Sequence, residues 1–340
     1  MSDNVVPLKR ANDGDRPSLA PILSLTATPM NAVNAIILDR MQSEIPLIPA
    51  LAGHLIAGGG KRMRPMLTLA GAELLGYQGT RHHKLSAAVE FIHTATLLHD
   101  DVVDGSEMRR GKSAANIVYG NPATVLVGDF LFSRSFELMV EDGSLKVLKI
   151  LSSASAIIVQ GEVDQLTAQR KIETSEERYL KIVDAKTAAL FAAASRISAV
   201  VAERDESEEI ALDTYGRNLG IAFQLVDDAL DYDANAAEMG KDPGDDFREG
   251  KMTMPVILAY ARGSEEERRF WQDAIAGFAV EDEDLAHAVE LIRKHDCVTA
   301  TRDRARHFAQ RACDALSIFP DSAARRAMIE AAQFAVTRGF

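Results

Sequence analysis

Residues 97–104 read Leu-Leu-His-Asp-Asp-Val-Val-Asp, and the same arrangement returns at residues 224–231 as Gln-Leu-Val-Asp-Asp-Ala-Leu-Asp. Both stretches place the spacing Asp-Asp-x-x-Asp at the end of an apolar, helix-forming run. Residues four apart on a helix lie on one face, about one turn from each other. The two stretches therefore predict two helices, each with a pair of aspartates pointing the same way. The pairs are Asp100 with Asp104 and Asp227 with Asp231.

Such acidic pairs are costly for a helix unless a cation joins them. Like charges at this spacing destabilise a helix by a few tenths of a kcal/mol. Mg²⁺ offsets this, because it takes carboxylate oxygens and readily bridges to substrate phosphates. A single motif is most simply a solvated acidic face. Two copies, 127 positions apart from Asp100 to Asp227, favour a shared site for divalent metal.

Two other metal sites fit the sequence poorly. An EF-hand calcium loop needs a central glycine and a terminal glutamate, and neither follows the aspartates at that spacing. A carboxylate di-iron bundle needs two Glu-x-x-His motifs. Only Glu90 and His93 match that spacing.

Basic residues stand close to both aspartate motifs in the sequence. Arg109 and Arg110 follow the first motif, and Gly58–Gly60 precede three cations within residues 61–64. Arginine suits bidentate contact with phosphate, and a glycine loop before a helix forms anion sites. Further lysines lie in an apolar helix and in the glycine-rich segment after the second motif: Lys186 beside Thr187, Lys241 and Lys251. Alone, the glycine loop could be a basic surface turn, and the lysine in the apolar helix could extend its charged end to solvent. Together, these features predict a bound anion.

The remaining chain predicts an all-α fold. From Ala32 onward apolar residues recur at helical spacing, and aromatics make up only 6% of the chain. Helices are expected to start near Asn121-Pro122 and Thr174-Ser175, and loops are expected at 58–60, 105–111 and 240–250. Residues 1–28 combine prolines with charges and predict a flexible N-terminal tail. Residues 29–340 are then expected to form one helical domain.

Composition narrows the possible functions and location. The net charge of −12 argues against nonspecific binding of nucleic acid, which requires a positive surface. The two cysteines, Cys297 and Cys313, predict reduced core thiols. No signal segment is evident, and we expect no stretch of membrane-span length to be free of charge. These features predict a cytoplasmic protein without stable membrane insertion.

The motifs taken together resemble the trans-type isoprenyl (polyprenyl) diphosphate synthase family, from about Ala32 to Phe340. The similarity is greatest to bacterial long-chain synthases (octaprenyl, solanesyl and decaprenyl), which supply quinone side chains such as that of ubiquinone. The most specific stretches are GGGKRMRP at 58–65, DDVVDGSEMRRG at 100–111, KT at 186–187, QLVDDALD at 224–231 and GKDPGDDFREGK at 240–251. One departure is Met254, where the family commonly has leucine. This exchange nearly conserves volume.

The resemblance implies a single-domain bundle of about a dozen mostly antiparallel helices around a deep central cavity, assembled as a homodimer. It implies about three Mg²⁺ ions held by Asp100, Asp104 and Asp227, with Asp101 and Asp231 assisting. Implied contacts to the allylic diphosphate are Arg109, Lys186, Thr187, Gln224, Lys241 and Lys251. Implied contacts to isopentenyl diphosphate are Lys61, Arg64, His93 and Arg110. Among these, Asp100, Asp104, Asp227, Lys186 and Arg109 are the expected catalytic residues.

The implied reaction needs no enzyme nucleophile. Metal ions and cations stabilise the departing diphosphate, and the double bond of isopentenyl diphosphate attacks the allylic cation. An apolar cavity keeps water away from that cation. Repetition on a primer such as farnesyl diphosphate then lengthens the chain.

Three residues before the first motif bear on product length. Thr96, Ala95 and Ile92 lie on or near the face of Asp100, and bulky aromatic side chains in this stretch close the cavity of short-chain relatives. The small Ala95 and Thr96 predict a product of about eight to ten isoprene units, with decaprenyl slightly favoured over octaprenyl and solanesyl. In the alternative, Ala95 packs against another helix and a different residue closes the cavity.

Three other functions occur on the fold that the resemblance implies. A shorter-chain farnesyl or geranylgeranyl synthase would carry the same motifs. A terpene cyclase is disfavoured, because the second motif retains all its aspartates and is not an NSE-like ligand set. A non-catalytic subunit of a heteromeric synthase is disfavoured, because such subunits typically lose motif aspartates or arginines.

Overall fold

The computed structural model describes residues 17–57, 61–109, 111–233, 244–277 and 282–337. The helices are α1 (Ala20–Arg40), α2 (Leu47–Ala57), α3 (Met63–Leu74), α4 (Arg81–Val103), α5 (Ala115–Tyr119), α6 (Asn121–Asp142), α7 (Leu145–Ala168), α8 (Glu176–Val183), α9 (Ala189–Val201), α10 (Glu206–Leu230), α11 (Asp245–Arg248), α12 (Met254–Arg262), α13 (Glu265–Ala276), α14 (Asp282–Lys294), α15 (Cys297–Ala315) and α16 (Ala323–Thr337). A π-helical turn, Asp184–Ala188, joins α8 to α9, and a 3₁₀ turn, Leu316–Ile318, follows α15. Strands β1 (Met108–Arg109) and β2 (Lys112–Ser113) form an antiparallel hairpin.

Three apolar clusters form the core, and the two motif helices run through them. The first cluster packs α4 against α6, α7 and α9. The second joins the C-terminal half of α10 to α12–α15 around the fully buried Trp271. The third joins α1, α3, α15 and α16 to the N-terminal half of α10, where the Tyr215 hydroxyl donates to the Met328 carbonyl at 2.8 Å. Each large buried side chain contributes about 1.5–3 kcal/mol, so the ends of α4 and α10 are firmly placed.

The predicted all-α fold is confirmed, as are two predicted helix starts. Helix α6 begins at Asn121 with Pro122 in its first turn. Helix α8 begins after Ser175, whose hydroxyl accepts from the Arg178 backbone N–H at 3.2 Å. The described part of the chain contains sixteen α-helices rather than about a dozen. Several are short, including α5 and α11, and gave no periodic signal.

The predicted boundary of the tail at residue 28 is wrong for its last nine residues. Helix α1 begins at Ala20, and its Ile22 and Thr26 are 0% and 2% exposed. Pro21 lies in the first turn, where a missing N–H is tolerated, while Pro29 lies inside the helix. The prolines were thus a misleading sign of disorder, because burial of one face of α1 outweighs them. Residues 1–16 of the predicted tail lie outside the described residues.

The expectation that no membrane-length stretch lacks charge is also wrong. Residues 17–38 contain no charged side chain. By length and composition, α1 is apolar enough to cross a membrane, although 22% of its most apolar window is buried inside the protein. Its Ile22 joins the third cluster, and Val33 and Ile37 join the first.

Two segments expected to be loops contain short regular structure. Within 105–111, the strand β1 pairs Met108 with Ser113 and Arg109 with Lys112. Within 240–250, the described residues begin at Gly244 and include α11. The remainder of that segment, Arg110 and residues 58–60 lie outside the described residues.

Candidate active site

The first aspartate motif occupies the last turn of α4. Asp104 follows the helix end, and its backbone N–H donates to the Asp100 carbonyl at 2.8 Å. Burial raises the pKa of Asp100, Lys186 opposes the rise, and Asp104 adds to it. The α-helical spacing has therefore produced the acidic face that the sequence predicts.

The middle aspartate of this motif is turned inward. Asp101 is 0% exposed, and the Arg109 Nε on β1 donates to its Oδ1. The Ser106 backbone N–H also donates to the Asp101 carbonyl, at 3.0 Å. The second carboxylate oxygen of Asp101 is buried without a hydrogen-bond partner among the described residues. An orphaned carboxylate oxygen in an acidic cluster suits a further cation.

The second motif ends α10 and divides its aspartates between two environments. Asp228 is 3% exposed; the Tyr179 hydroxyl donates to its Oδ2, and Gln224 Nε2 donates to its Oδ1 at 2.8 Å. Burial raises the pKa of Asp228 to about 8, with the charge of Asp246 adding to the rise. Asp227 is only partly buried. Asp228 therefore holds the helix in place, while Asp227 belongs to the more accessible face.

Asp231, the last aspartate of the second motif, binds the chain that follows α10. Its Oδ2 accepts from the Asp246 backbone N–H at 3.3 Å, and its carbonyl accepts from the Gly244 N–H at 3.0 Å. This contact brings α11 back against the end of α10.

Lys251 connects this returning segment to the first motif. Its Nζ lies 3.3 Å from Asp104 Oδ2 and also contacts Glu249. Burial alone would lower the pKa of Lys251, but Asp246, Glu249 and Asp104 together raise it above its usual value. The side chain is therefore a fixed cation among carboxylates from two parts of the chain.

Lys186 is a second cation close to the first motif. Its Nζ donates to Glu162 Oε2 on α7 at 2.8 Å. Burial raises the pKa of Glu162, against the opposing charge of Lys186. Burial likewise raises the pKa of Asp246, while Lys251 and Lys186 lower it and Asp227 raises it. Both lysines thus act electrostatically on Asp100 of the first motif and on Asp246, whose backbone N–H donates to Asp231 of the second motif.

A pocket opens beside these lysines, between α7, α8 and α10. At its edge the Thr187 hydroxyl donates to Gln224 Oε1 at 2.9 Å. Predicted diphosphate contacts that line it are Lys186, Thr187, Gln224 and Lys251. Four of the six expected contacts are therefore brought together in one pocket.

The cations expected to bind the second substrate lie at the start of α3 and on α4. Arg64 Nη1 is 3.0 Å from His93 Nε2, and the Arg64 guanidinium lies 4.5 Å from the centroid of the Phe191 ring. Lys61 Nζ lies 5.0 Å from the Phe334 ring of α16. The structure thus brings Arg64 into contact with His93, 29 positions along the chain. The sequence placed His93 on the face of Asp100 but did not predict this contact.

The three residues considered for product length lie on the inner side of α4. Ile92 and Ala95 are 0% and 1% exposed within the first core cluster, which includes side chains of α6 and α7. The Thr96 hydroxyl donates to the His93 carbonyl at 2.8 Å. Packing of Ala95 in this cluster matches the alternative weighed above, so a path for the product along α4 stays a prediction.

Some residues of this site were missed by the sequence analysis. Asp246 and Glu249 carried a signal, since both belong to the GDDFREGK stretch. Glu162 and Tyr179 lie in ordinary amphipathic helices and had no local signal. The predicted contacts Arg110 and Lys241 lie outside the described residues.

Within the described ranges, no group of three or more His, Cys, Asp or Glu side chains is arranged as a preformed ion site. The two lysines stand among the carboxylates instead. This arrangement agrees with the chemistry of Mg²⁺, which usually takes one or two carboxylates and completes its shell with water and substrate phosphates. The donor set therefore fits ions that share a phosphate ligand.

Comparison with known proteins gives consistent matches. The sequence model described as polyprenyl synthetase matches residues 45–292. The octaprenyl diphosphate synthase of Escherichia coli is 44% identical over 325 residues, covering 94% of this chain and 99% of that protein. The crystal structure of a polyprenyl synthase from Caulobacter crescentus, complexed with calcium and isoprenyl diphosphate, has a TM-score of 0.92 at 52% identity and covers 95% and 99% of the two chains. A decaprenyl diphosphate synthase from Rhodobacter capsulatus has a TM-score of 0.91 at 50% identity, with coverage of 94% and 99%.

Proposed function

This chain belongs to the polyprenyl synthetase family, and on that premise we propose that it is a long-chain polyprenyl diphosphate synthase. It extends an allylic diphosphate, such as farnesyl diphosphate, by successive condensation with isopentenyl diphosphate. The observation that carries the proposal is the position of two lysines: Lys251 lies 3.3 Å from Asp104 of the first motif, and Lys186 and Lys251 line one pocket with Asp228 of the second motif. The octaprenyl and decaprenyl relatives support a product of about eight to ten isoprene units.

Metal ions fit this site by the chemistry of its donors. Asp100, Asp104 and Asp227 would hold Mg²⁺, about three ions as the family resemblance implies, with Asp231 nearby. The Oδ2 atom of Asp101 has no hydrogen-bond partner within the described part of the chain, which supports a further cation next to the first motif. Bound Mg²⁺ supplies Lewis-acid stabilisation of negative charge on a diphosphate. The Caulobacter relative, complexed with calcium and isoprenyl diphosphate, supports a divalent ion beside such a substrate.

The basic and polar side chains of the pocket bind the allylic diphosphate in this proposal. Lys186 and Lys251 place two fixed cations beside it, and Thr187 and Gln224 supply hydrogen bonds. Arg109, held by Asp101, adds a guanidinium at the hairpin. Fixed cations stabilise the negative charge that develops on the diphosphate as its carbon–oxygen bond breaks, without further reorganisation.

Isopentenyl diphosphate binds next to the start of α3. Lys61 and Arg64 supply the cations, with Arg110 as the family resemblance implies, and His93 orients Arg64 through their 3.0 Å contact. The Phe191 ring below the guanidinium limits its movement. Substrates held in this way react without an enzyme nucleophile, and apolar surroundings exclude water from the allylic cation.

We also propose that the protein is a homodimer and acts in the cytoplasm. Helices α6 and α7 expose large apolar side chains at helical spacing: Leu126, Val140, Val159 and Val163 are 67%, 65%, 58% and 55% exposed. Such a surface suits a second copy of the chain. Both cysteines are buried and unpaired, which supports a reducing compartment. Light scattering of the wild type and of Val159→Glu tests the dimer; a monomeric wild type contradicts it.

A product assay tests the enzymatic proposal. Purified protein is incubated with Mg²⁺, labelled isopentenyl diphosphate and farnesyl diphosphate, and the dephosphorylated products are sized by chromatography. We expect products of about eight to ten units that disappear with EDTA. Products that stop at three or four units would contradict the long-chain assignment. No elongation by folded protein from any primer would favour a non-catalytic subunit.

A further inference from the structure

The helix that carries Lys186 and Thr187 is not a regular α-helix at these residues. Between α8 and α9, the turn Asp184–Ala188 is π-helical, and the Ala189 N–H donates to the Asp184 carbonyl, five residues earlier. π-Helical turns are rare and occur frequently at functional sites. One additional residue in a helix rotates the side chains that follow by about 100° relative to a continuous α-helix. This turn therefore determines where Lys186 and Thr187 point.

Two glycines on neighbouring helices make room for the turn. A Cβ atom at Gly161 of α7 would lie 2.8 Å from Ala185 Cβ and 2.9 Å from the Lys186 backbone nitrogen. A Cβ atom at Gly220 of α10 would lie 2.6 Å from Ala188 Cα. Both distances to backbone atoms are shorter than real Cβ contacts allow. The turn is therefore packed directly against the backbones of α7 and α10.

Side chains of α10 hold the turn at both of its ends. Arg217 Nη1 donates to Asp184 Oδ1 at 2.8 Å and to Oδ2 at 2.9 Å. Gln224, two turns further along α10, accepts from the Thr187 hydroxyl at 2.9 Å. The side chains of Arg217 and Asp184 are each about one-third exposed, so the ion pair does not fill space in the core. Its contribution is to hold Asp184, the first residue of the turn, against α10.

We propose that Arg217 is a positioning residue for the allylic diphosphate: it fixes Asp184 and thereby holds the π-helical turn that directs Lys186 and Thr187 into the pocket. This inference rests on the proposed function of the pocket. Arg217 does not touch the substrate. Its loss loosens one end of the turn, while Gln224 and Gly220 keep the other end in place.

Arg196 offers a matched control. It lies on α9, one helix away, and pairs with Glu209 at 3.5 Å and with Asp213 at 3.9 Å on α10. Asp213 is also 3.4 Å from Arg217 Nε, so both arginines belong to one network of ion pairs. Arg196→Ala therefore removes a similar charge and similar ion pairs while leaving the pair of Arg217 with Asp184.

Steady-state kinetics with each substrate varied in turn tests the proposal. We expect Arg217→Ala to raise the KM for the allylic diphosphate about fivefold or more and to leave the KM for isopentenyl diphosphate unchanged. Arg217→Lys restores only part of the loss, because the single nitrogen of an ammonium cannot contact Asp184 and Asp213 together, as Nη1 and Nε of the guanidinium do. Asp184→Asn reproduces the effect, and the double variant is no worse than either single variant. Arg196→Ala leaves both KM values as in the wild type.

Two results would overturn the inference. One is an unchanged KM for the allylic diphosphate in Arg217→Ala. The other is an equal change in both KM values that follows Tm and is matched by Arg196→Ala, which would indicate a purely structural role. If the wild type itself does not elongate, the proposed function fails. The inference about Arg217 is then tested separately, by titrating the wild type and Arg217→Ala with inorganic pyrophosphate in the presence of Mg²⁺. Weaker binding by the variant supports the inference, and equal binding rejects it.

Discussion

Lys251 Nζ lies 3.3 Å from Asp104 Oδ2, although the two residues are 147 positions apart in the chain. This contact ties the segment after α11 to the end of α4, where the first aspartate motif lies. It places a fixed positive charge among carboxylates that would otherwise repel one another. In the proposed function, substrate diphosphate and divalent ions would thus meet a site whose charges are already partly balanced.

The second motif predicts different roles for adjacent aspartates. We expect Asp227→Asn to lower kcat by about 10²-fold or more, because it removes charge from the accessible face of the site. Asp228→Asn should lower kcat far less, since Asp228 already accepts from Tyr179 and Gln224. Its main effect should be a loss of about 1 kcal/mol of unfolding free energy. Kinetics and urea unfolding of both variants provide the check; equal losses of kcat would contradict the division.

Product length tests the interpretation of α4. Ala95→Phe should shorten the products if the growing chain passes Ala95. Ala88→Phe is the control, because Ala88 is equally buried on α4 but lies about 18 Å from Asp100 along the axis. Both variants should lose about 1–3 kcal/mol through overpacking. Chromatography of the products distinguishes them, and unchanged lengths in Ala95→Phe would favour another residue as the end of the cavity.

The two thiols should be unreactive in the folded protein. Burial raises the pKa of Cys313 to about 12 and that of Cys297 to about 11. A raised pKa keeps a thiol protonated, so the reactive thiolate is scarce near pH 8. Mass spectrometry after iodoacetamide should find no label on native protein and two labels in concentrated guanidinium chloride. Rapid labelling of the native protein would show that one thiol is accessible and ionised.

Acid stability should depend on Glu267 at the start of α13. Hydrogen bonds from Lys294, the Ser264 backbone and His295 lower its pKa from 4.5 to about 2. A lowered carboxyl pKa stabilises the fold above pH 4.5, and this stabilisation is lost as pH falls towards 2. Glu267→Gln should lower the unfolding free energy at neutral pH by about 1 kcal/mol and flatten its dependence on pH in that window.

A surface ion pair provides the control for this prediction. Glu177 pairs with Lys181 at 2.7 Å, but its side chain is 79% exposed. Glu177→Gln should change stability little, because exposed pairs contribute little. Urea unfolding at neutral and acidic pH measures all three proteins. Equal behaviour of the two variants would mean that the hydrogen bonds of Glu267 do not stabilise α13.

Local features of the sequence predicted much of the fold. Helix periodicity, the cap at Ser175 and the start at Asn121 are set by residues within a few positions of each other, so they could be recognised without the structure. The boundary of α1 could not, because its prolines favoured a tail and only contact with the core outweighs them. Burial is a property of distant residues, which sequence spacing does not report.

The sequence by itself determined the all-α class and the aspartate pairs of both motifs, because i to i+4 spacing on a helix is local geometry. It also predicted both cations that line the pocket, Lys186 and Lys251. Only the tertiary structure decided that Asp228 is held by Tyr179, 49 positions away, and that Lys251 meets Asp104. It alone produced the π-helical turn between Gly161 and Gly220. These features depend on helix packing between remote segments, and the energies that select them appear only when the chain is folded.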